Sequence, residues 1–458
     1  MTTALSTLSF TRGADSFEVP DAVITTGNIV NTLSGDDTLI GNRVDSGAGL
    51  FIEAESRLQT STGNDVVAGQ SQSNIGLENL GFINTGSGQD QVSALRITGG
   101  IPGPISLINR TAAVMALGSG QDSLTAAGVL RNEGGIDLGT GDDNISVTTF
   151  SIGANLPPFS SPLINSGWMQ LGRGNDTVST ITFENSGLIR AGKGDDRIEA
   201  LNRSSKGSNR FNNGGAILME AGNDIIEGRG ASMGLNNTGT VNMGAGNDLI
   251  IGEGVRPFMA PSFITQGVLN EGDLKLGSGH DRIDVKGAQF ALRNTGSIDA
   301  GKGDDEILGI SDPTISVPSG VRAGIGIDNK GEINLGAGRD RLTGQLILNQ
   351  GEIDMGKGDD IVTADTFEGY GSLLLGKGND QVMGFGDQWV DGGKGYDIAE
   401  LGIDPGDVTE IVLGASPRAL TTVTAHGMSM EFVNVEAFSF AGTAPIPFDQ
   451  LADSLPVV

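Results

Sequence analysis

An aspartate preceded two residues earlier by a glycine, and four residues earlier by a second one, recurs along this chain. LGTGDD (138–143), LGRGND (171–176), MGAGND (243–248) and LGSGHD (276–281) are four copies. Paired glycines let the backbone turn through positive φ, so that carbonyl oxygens and the carboxylate converge on one spot. Such oxygens suit Ca2+, which takes six to eight of them at about 2.3–2.6 Å and accepts carbonyls readily. One turn offers too few oxygens and two stacked turns offer enough, which places the ion between successive turns.

The candidate metal ligands are Asp90, Asp122, Asp143, Asp176, Asp196, Asp224, Asp248, Asp281, Asp305, Asp340, Asp360, Asp380 and Asp397. Asp37 and Asp65 occupy degraded copies, LSGDD (33–37) and TSTGND (60–65), that keep only the second glycine. Repeating carboxylates at the spacing of stacked strands repel by about 1 kcal/mol per neighbour in water. Removing one is therefore expected to leave the metal-free protein unharmed or slightly more stable. The second acid of the GDD turns (Asp142, Asp195, Asp304, Asp359) reads as a solvated neighbour, because Asn175, Asn247 and Asn379 take the same place. His280 fills that place too and reads as a surface variant.

The elements that position these turns show in a second fixed point. Eleven residues before the aspartate stand Asn79, Asn132, Asn165, Asn185, Asn213, Asn237, Asn270, Asn294, Asn329 and Asn349, each with a glycine two residues later. Apolar and polar residues alternate between that glycine and the turn, as in Ile136/Leu138 and Ile353/Met355, and a period of two means strand. An apolar residue two places after the aspartate starts another strand. Successive aspartates lie 17 to 35 residues apart, and the variable length falls in segments such as 154–162, 253–263 and 310–320.

Constant segments of this kind stack. The expected fold is all-β, a right-handed parallel β-solenoid (a β-roll or β-helix) with one Gly-x-Gly-x-Asp turn per coil and loops of variable length at one corner. The asparagines would form a ladder of amide hydrogen bonds along the axis. Residues 1–24 read as an N-terminal capping segment, 25–399 as the solenoid, and 400–458 as a C-terminal β cap.

Composition agrees and excludes several functions. Of 458 residues 74 are glycine, and 56 acids against 28 bases leave a formal charge of −28, which argues against nucleic acid and for cations. No cysteine is present, so disulfides and thiolate metal sites are excluded. No apolar run reaches the length of a membrane-spanning helix.

The turns resemble the nonapeptide of the RTX (haemolysin-type) calcium-binding repeat family, Gly-Gly-x-Gly-x-Asp-x-apolar-x. GGKGYDIAE (392–400) matches it fully, and LGKGNDQVM (375–383) and MGKGDDIVT (355–363) match with the first glycine replaced. The resemblance covers roughly residues 25–400. It implies a parallel β-roll, calcium-dependent folding, and an extracellular protein exported by the type I secretion machinery without a cleaved N-terminal signal. NVEAFSFAGT (434–443) is similar to the strand pair that closes such proteins, whose export signal is C-terminal. The family usually runs its nonapeptides in tandem, whereas one turn per coil here allows a single row of ions.

The functional expectation is a calcium-binding protein with a structural, adhesive or cell-surface role, with extracellular polysaccharide or cell-surface components as partners. The alternative is a polysaccharide-modifying enzyme, lyase- or epimerase-like, using the loop corner with Arg256, Arg322 and Lys330. No HExxH, GxSxG or P-loop motif is present, and the two histidines, His280 and His426, lie far apart, so no catalytic residue is expected.

Overall fold

The computed structural model describes residues 3–43, 47–72, 75–96, 105–148, 163–201, 211–230, 232–254, 265–312 and 324–451. The chain falls into two compact units, Met1–Glu227 and Gly228–Val458. Both consist of short strands in parallel register. Three single-turn 3-10 segments, Leu5–Thr7, Pro405–Asp407 and Phe448–Gln450, interrupt the strands. The protein is a parallel β-solenoid.

In the first unit, the coil that carries Asp143 shows the pattern. Val129–Asn132 runs into the asparagine corner, Gly135–Asp137 leads to the glycine turn, and Asn144–Thr148 leaves it. Each strand pairs without offset with its counterpart one coil on: Asn132 faces Asn165, Ile136 faces Met169, and Ile145 faces Val178. Side chains alternate along a strand, so this register stacks like on like. Ile136, Met169, Ile189 and Ile217 make one inward column, and Leu163, Phe183 and Phe211 another, all at most 1% exposed. Burying a side chain of this size stabilises by roughly 1.5–3 kcal/mol, and a single coil has too few of them to fold alone.

The second unit repeats the arrangement, with Leu274, Ile298, Ile333, Ile353, Leu373 and Val390 as its corresponding buried column. Its shortest coils need no loop. There the strand leaving the turn and the strand entering the asparagine corner fuse, as Arg341–Asn349 and Ile361–Glu368. Elsewhere the added length falls between those two strands, and most of it lies outside the described residues.

The asparagine corner is a ladder in both units. Nδ2 of Asn79, Asn109, Asn132, Asn165 and Asn185 each donates to Oδ1 of the next asparagine at 2.7–2.9 Å. The second unit continues the pattern from Asn237 through Asn270, Asn294 and Asn329 to Asn349 at 2.8–3.0 Å. Most of these amides also donate to a backbone carbonyl of the neighbouring coil, as Asn132 does to Trp168 O at 3.0 Å. A buried amide is neutral, so it satisfies donors and acceptors along the axis without the cost of an ion.

Both ends carry pieces outside the regular coil. Parallel pairing reaches back into the segment assigned to the N-terminal cap: Ser16–Pro20 pairs with Thr38–Arg43, and Thr3–Ala4 with Ala22–Ile24. At the other end Ala437–Ser439 stacks in parallel on Ile398–Glu400. An antiparallel meander, Val408–Val412, Thr421–Ala425 and Met428–Val433, then ends the sheet, which limits edge-to-edge growth.

Asn132→Ala should be costly. It strips the acceptor from Asn109 and the donor from Asn165, each an orphan worth about 1–3 kcal/mol. A fall of several degrees in the melting temperature by circular dichroism is the expected result; an unchanged melt would mean that the ladder adds nothing to stability.

Candidate functional site

All fifteen turn aspartates are buried, none more than 2% exposed. They do not fan out around the corner. Each carboxylate lies along the axis, and its Oδ1 accepts the backbone N–H of the aspartate one coil earlier. In the first unit the Asp37 amide donates to Asp65, Asp65 to Asp90, Asp90 to Asp122, Asp122 to Asp143, Asp143 to Asp176, Asp176 to Asp196 and Asp196 to Asp224, all at 2.8 Å. In the second unit Asp248 donates to Asp281, and the series runs through Asp305, Asp340, Asp360 and Asp380 to Asp397 at 2.8–2.9 Å. This overturns the expectation that the metal-free protein would not miss a carboxylate. Deleting one leaves a buried N–H of the preceding coil without its acceptor.

The glycines are required by how closely the turns stack. A Cβ on Gly358 would lie 1.5 Å from Gly338 O and 3.2 Å from Asp360 Oδ1, and one on Gly378 would lie 1.5 Å from Gly358 O and 3.1 Å from Asp380 Oδ1. At these two turns the second glycine leaves a small cradle bounded by the preceding coil's carbonyl oxygen and its own turn's carboxylate. The first glycine is needed for its dihedral. Where it is replaced, Leu33, Ser61 and Glu220 hold φ of 75°, 71° and 76°, a conformation that costs a non-glycine residue about 1–2 kcal/mol. Stacking imposes the turn even on the degraded copies.

The residue before the aspartate forms a second ladder outside the first, with the opposite sense. Oδ1 of Asp142 accepts Asn175 N–H, Asp195 accepts Asn223, Asp304 accepts Arg339 and Asp359 accepts Asn379, at 2.7–2.9 Å. These acids are exposed, but they are not the merely solvated neighbours that the sequence suggested. Asparagine substitutes for them because it presents the same Oδ1, as Asn175 does to Asp195 and Asn247 to His280. His280 is part of the ladder as well, its Nδ1 accepting Asp304 N–H at 2.9 Å.

The inner row is electrostatically loaded. Oδ2 of Asp37, Asp65, Asp90, Asp122, Asp143, Asp176 and Asp196 is buried without a hydrogen-bond partner, and so is that of Asp281, Asp305, Asp340, Asp360, Asp380 and Asp397. Burial pushes Asp90, Asp143, Asp196, Asp360 and Asp397 up to about 7 and Asp305 to about 8, with neighbouring acids adding to the rise and the backbone N–H bond opposing it. Asp176, Asp340 and Asp380 rise to about 6 for the same leading reason, and Asp65, Asp122 and Asp281 shift upward too. Among the described residues no three His, Cys, Asp or Glu side chains converge on one point. Any ion held here would draw its oxygens from one carboxylate row and from backbone carbonyls. The donors are hard oxygens, and the orphaned Oδ2 atoms fit a cation of that preference.

Three participants escaped the sequence reading. Asp15 begins the inner series, its N–H donating to Asp37 Oδ1 at 2.8 Å. The string GADSF (13–17), with the second glycine, the aspartate and the apolar residue in place, carried that signal. Asn109 belongs to the asparagine ladder but stands thirteen residues before Asp122, so fixed spacing passes over it. Glu436 closes the inner series, Oε2 accepting Asp397 N–H at 2.9 Å, and its longer arm replaces an aspartate that no repeat supplies. Arg256 and Arg322, the segments 154–162, 255–264 and 313–323, and residues 452–458 at the C-terminus lie outside the described residues; Lys330 is exposed.

No family model and no curated protein matches the chain. Among solved structures it is similar to one described as a hyperactive, Ca2+-dependent, β-helical antifreeze protein from an Antarctic bacterium. The two share 15% identity at a TM-score of 0.36, over 96% of this chain and 91% of that one. The β-solenoid assignment rests on the in-register parallel strands of this chain itself.

A raised carboxylate pKa means that the folded, metal-free protein holds protons that the unfolded chain releases. Its contribution to stability is complete below the unfolded value of 3.8 and declines as pH rises through about 6 to 8. In EDTA the protein should therefore melt at a higher temperature at pH 5 than at pH 8. A melting temperature that rises across that interval would mean the aspartates are not protonated in the metal-free fold.

Proposed function

We propose that this protein is a calcium-binding β-solenoid of the RTX kind that works outside the cell in a structural or adhesive role and is not an enzyme. The observation that carries the reading is the row of buried Oδ2 atoms without partners. In a metal-free fold burial pushes most of these carboxyls toward the protonated form. A divalent cation would neutralise them and use the oxygens that hydrogen bonding leaves over. Asp90, Asp122, Asp143, Asp176 and Asp196 in the first unit would hold the ions, and Asp281, Asp305, Asp340, Asp360, Asp380 and Asp397 in the second. Asp224 and Asp248 belong to the same rows. The carbonyls of the second glycines would complete the oxygen set. Bound calcium would favour the folded state by RT ln(1 + [Ca]/Kd) per site, so that the chain becomes stable where calcium is plentiful. That dependence supports an extracellular setting, and the resemblance of the turns to RTX nonapeptides supports type I export.

The non-catalytic part of the proposal is supported by where the histidines stand. His280 is an acceptor in the outer ladder, and His426 lies 3.5 Å from Asp407 at the C-terminal meander. Extracellular polysaccharide or cell-surface material is the proposed partner.

Two substitutions at one position test the calcium reading. Asp360→Asn keeps Oδ1 for the Asp340 N–H and removes the charge, so in EDTA at pH 8 it should melt at or above the parent. Asp360→Ala removes the acceptor as well and should lose about 1–3 kcal/mol in EDTA. In calcium, equilibrium dialysis of Asp360→Asn should count about one or two fewer bound ions than the parent. An unchanged count, or a parent protein that binds no calcium, defeats the assignment.

A further inference from the structure

Between the two glycines of each turn stands one residue whose side chain points outward, and in the second unit these residues form a row. Parallel bridges join Lys302 to Ala337, Ala337 to Lys357, Lys357 to Lys377 and Lys377 to Lys394. The backbone of the row is pinned: the amides of Lys357, Lys377 and Lys394 each donate to the first glycine of the preceding turn at 2.9 Å. The turn that lacks a lysine carries Arg339 two residues on, on the same corner. Five consecutive coils thus present one exposed base each, about 4.8 Å apart from coil to coil.

These bases are unusual in a chain with twice as many acids as bases. Three other arginines of this unit are engaged: Arg282 with Glu306 at 2.8 Å, Arg293 with Asp328 at 3.2 Å, and Arg229 with Glu253 at 3.3 Å. None of the five turn bases forms an ion pair among the described residues. The acids closest along the chain are committed to amides instead. Asp359 accepts Asn379 N–H at 2.9 Å, and Asp391 accepts Asn434 Nδ2 at 2.6 Å and Gly393 N–H at 3.0 Å.

We infer that the row Lys302, Arg339, Lys357, Lys377 and Lys394 is a binding site for a linear acidic polysaccharide lying along the turn corner. The inference names a partner and a place within the adhesive reading above. A uronate chain carries one carboxylate per sugar, a spacing of the same order as the coil rise. Flexible lysine stems take up the remaining mismatch. Duplex nucleic acid is a poor fit: it presents one charge per about 1.7 Å of axis and needs a broad basic surface, while the rest of this chain is strongly acidic. Ions held in the buried row beneath would add positive potential to the same corner, so affinity should be highest in calcium and should fall as salt screens the row.

The test uses the full chain in calcium at low ionic strength, with octagalacturonate, maltooctaose and inorganic polyphosphate as probes by isothermal calorimetry. Octagalacturonate should bind and maltooctaose should not. The triple variant Lys357→Gln/Lys377→Gln/Lys394→Gln should bind the uronate about a hundredfold more weakly, which is about 2.8 kcal/mol. A control with the same change in charge, Lys275→Gln/Lys286→Gln/Lys330→Gln, should stay within about twofold of the parent. Calcium-dependent melts of both variants should match the parent, which separates lost binding from lost fold. Equal binding of the neutral probe, parent-like affinity of the row variant, or equal weakening in the control would each overturn the assignment. Tighter binding of polyphosphate than of octagalacturonate would make the row a phosphate site and overturn the polysaccharide. Intact uronate binding by a chain that shows no calcium response would remove the calcium reading and leave this one standing.

Discussion

The carboxylate that reaches along the axis to the backbone of the preceding coil is the interaction on which the rest of this molecule depends. It determines which residue can occupy the turn, since only a short acid or amide places Oδ1 at 2.8 Å from that N–H. It determines the glycines too, because the turns must approach until one carbonyl nearly touches the next Cα. It also leaves the second oxygen of most turn carboxylates buried and unused. Structure and chemistry meet in that oxygen: the geometry that satisfies Oδ1 is the one that strands Oδ2.

The corner made of asparagines solves the same stacking problem without charge. There the amide supplies both a donor and an acceptor, so the ladder closes on itself and needs nothing from outside. At the aspartate corner the side chain only accepts, and the surplus acceptor calls for a proton or a cation. The two corners differ in responsiveness for this reason. One is insensitive to pH and ions, and the other answers to both.

Much of this was legible in the sequence because a solenoid writes its register into spacing. The alternation around Ile136 and Leu138 placed the inward column, and the ten regularly spaced asparagines predicted their ladder. Fixed spacing also set the limit. Asn109 was missed because its corner holds two extra residues, and Glu436 because a longer side chain reaches the same point from a different backbone position. The role of Asp142, Asp195, Asp304 and Asp359 was misread because exchange with asparagine looked like indifference, when it marked a shared acceptor. Burial of the turn aspartates was not legible either. A charged residue among glycines suggests a solvated corner, and only the stacking of one turn on the next closes the water out.

The two ladders of the aspartate corner run in opposite senses. In the inner one each amide points toward the following coil, and in the outer one toward the coil before. An α-helix aligns its peptide dipoles and so accumulates partial charge at its ends. In this corner the amide dipoles of adjacent residues oppose each other within every complete turn. Coils can then be added one after another without a growing axial field, and the electrostatic cost of the array stays local to each turn. Where Arg339 interrupts the outer series the cancellation lapses for one step, and where Gln89 and Gln121 follow each other it lapses for two, before the ladder resumes.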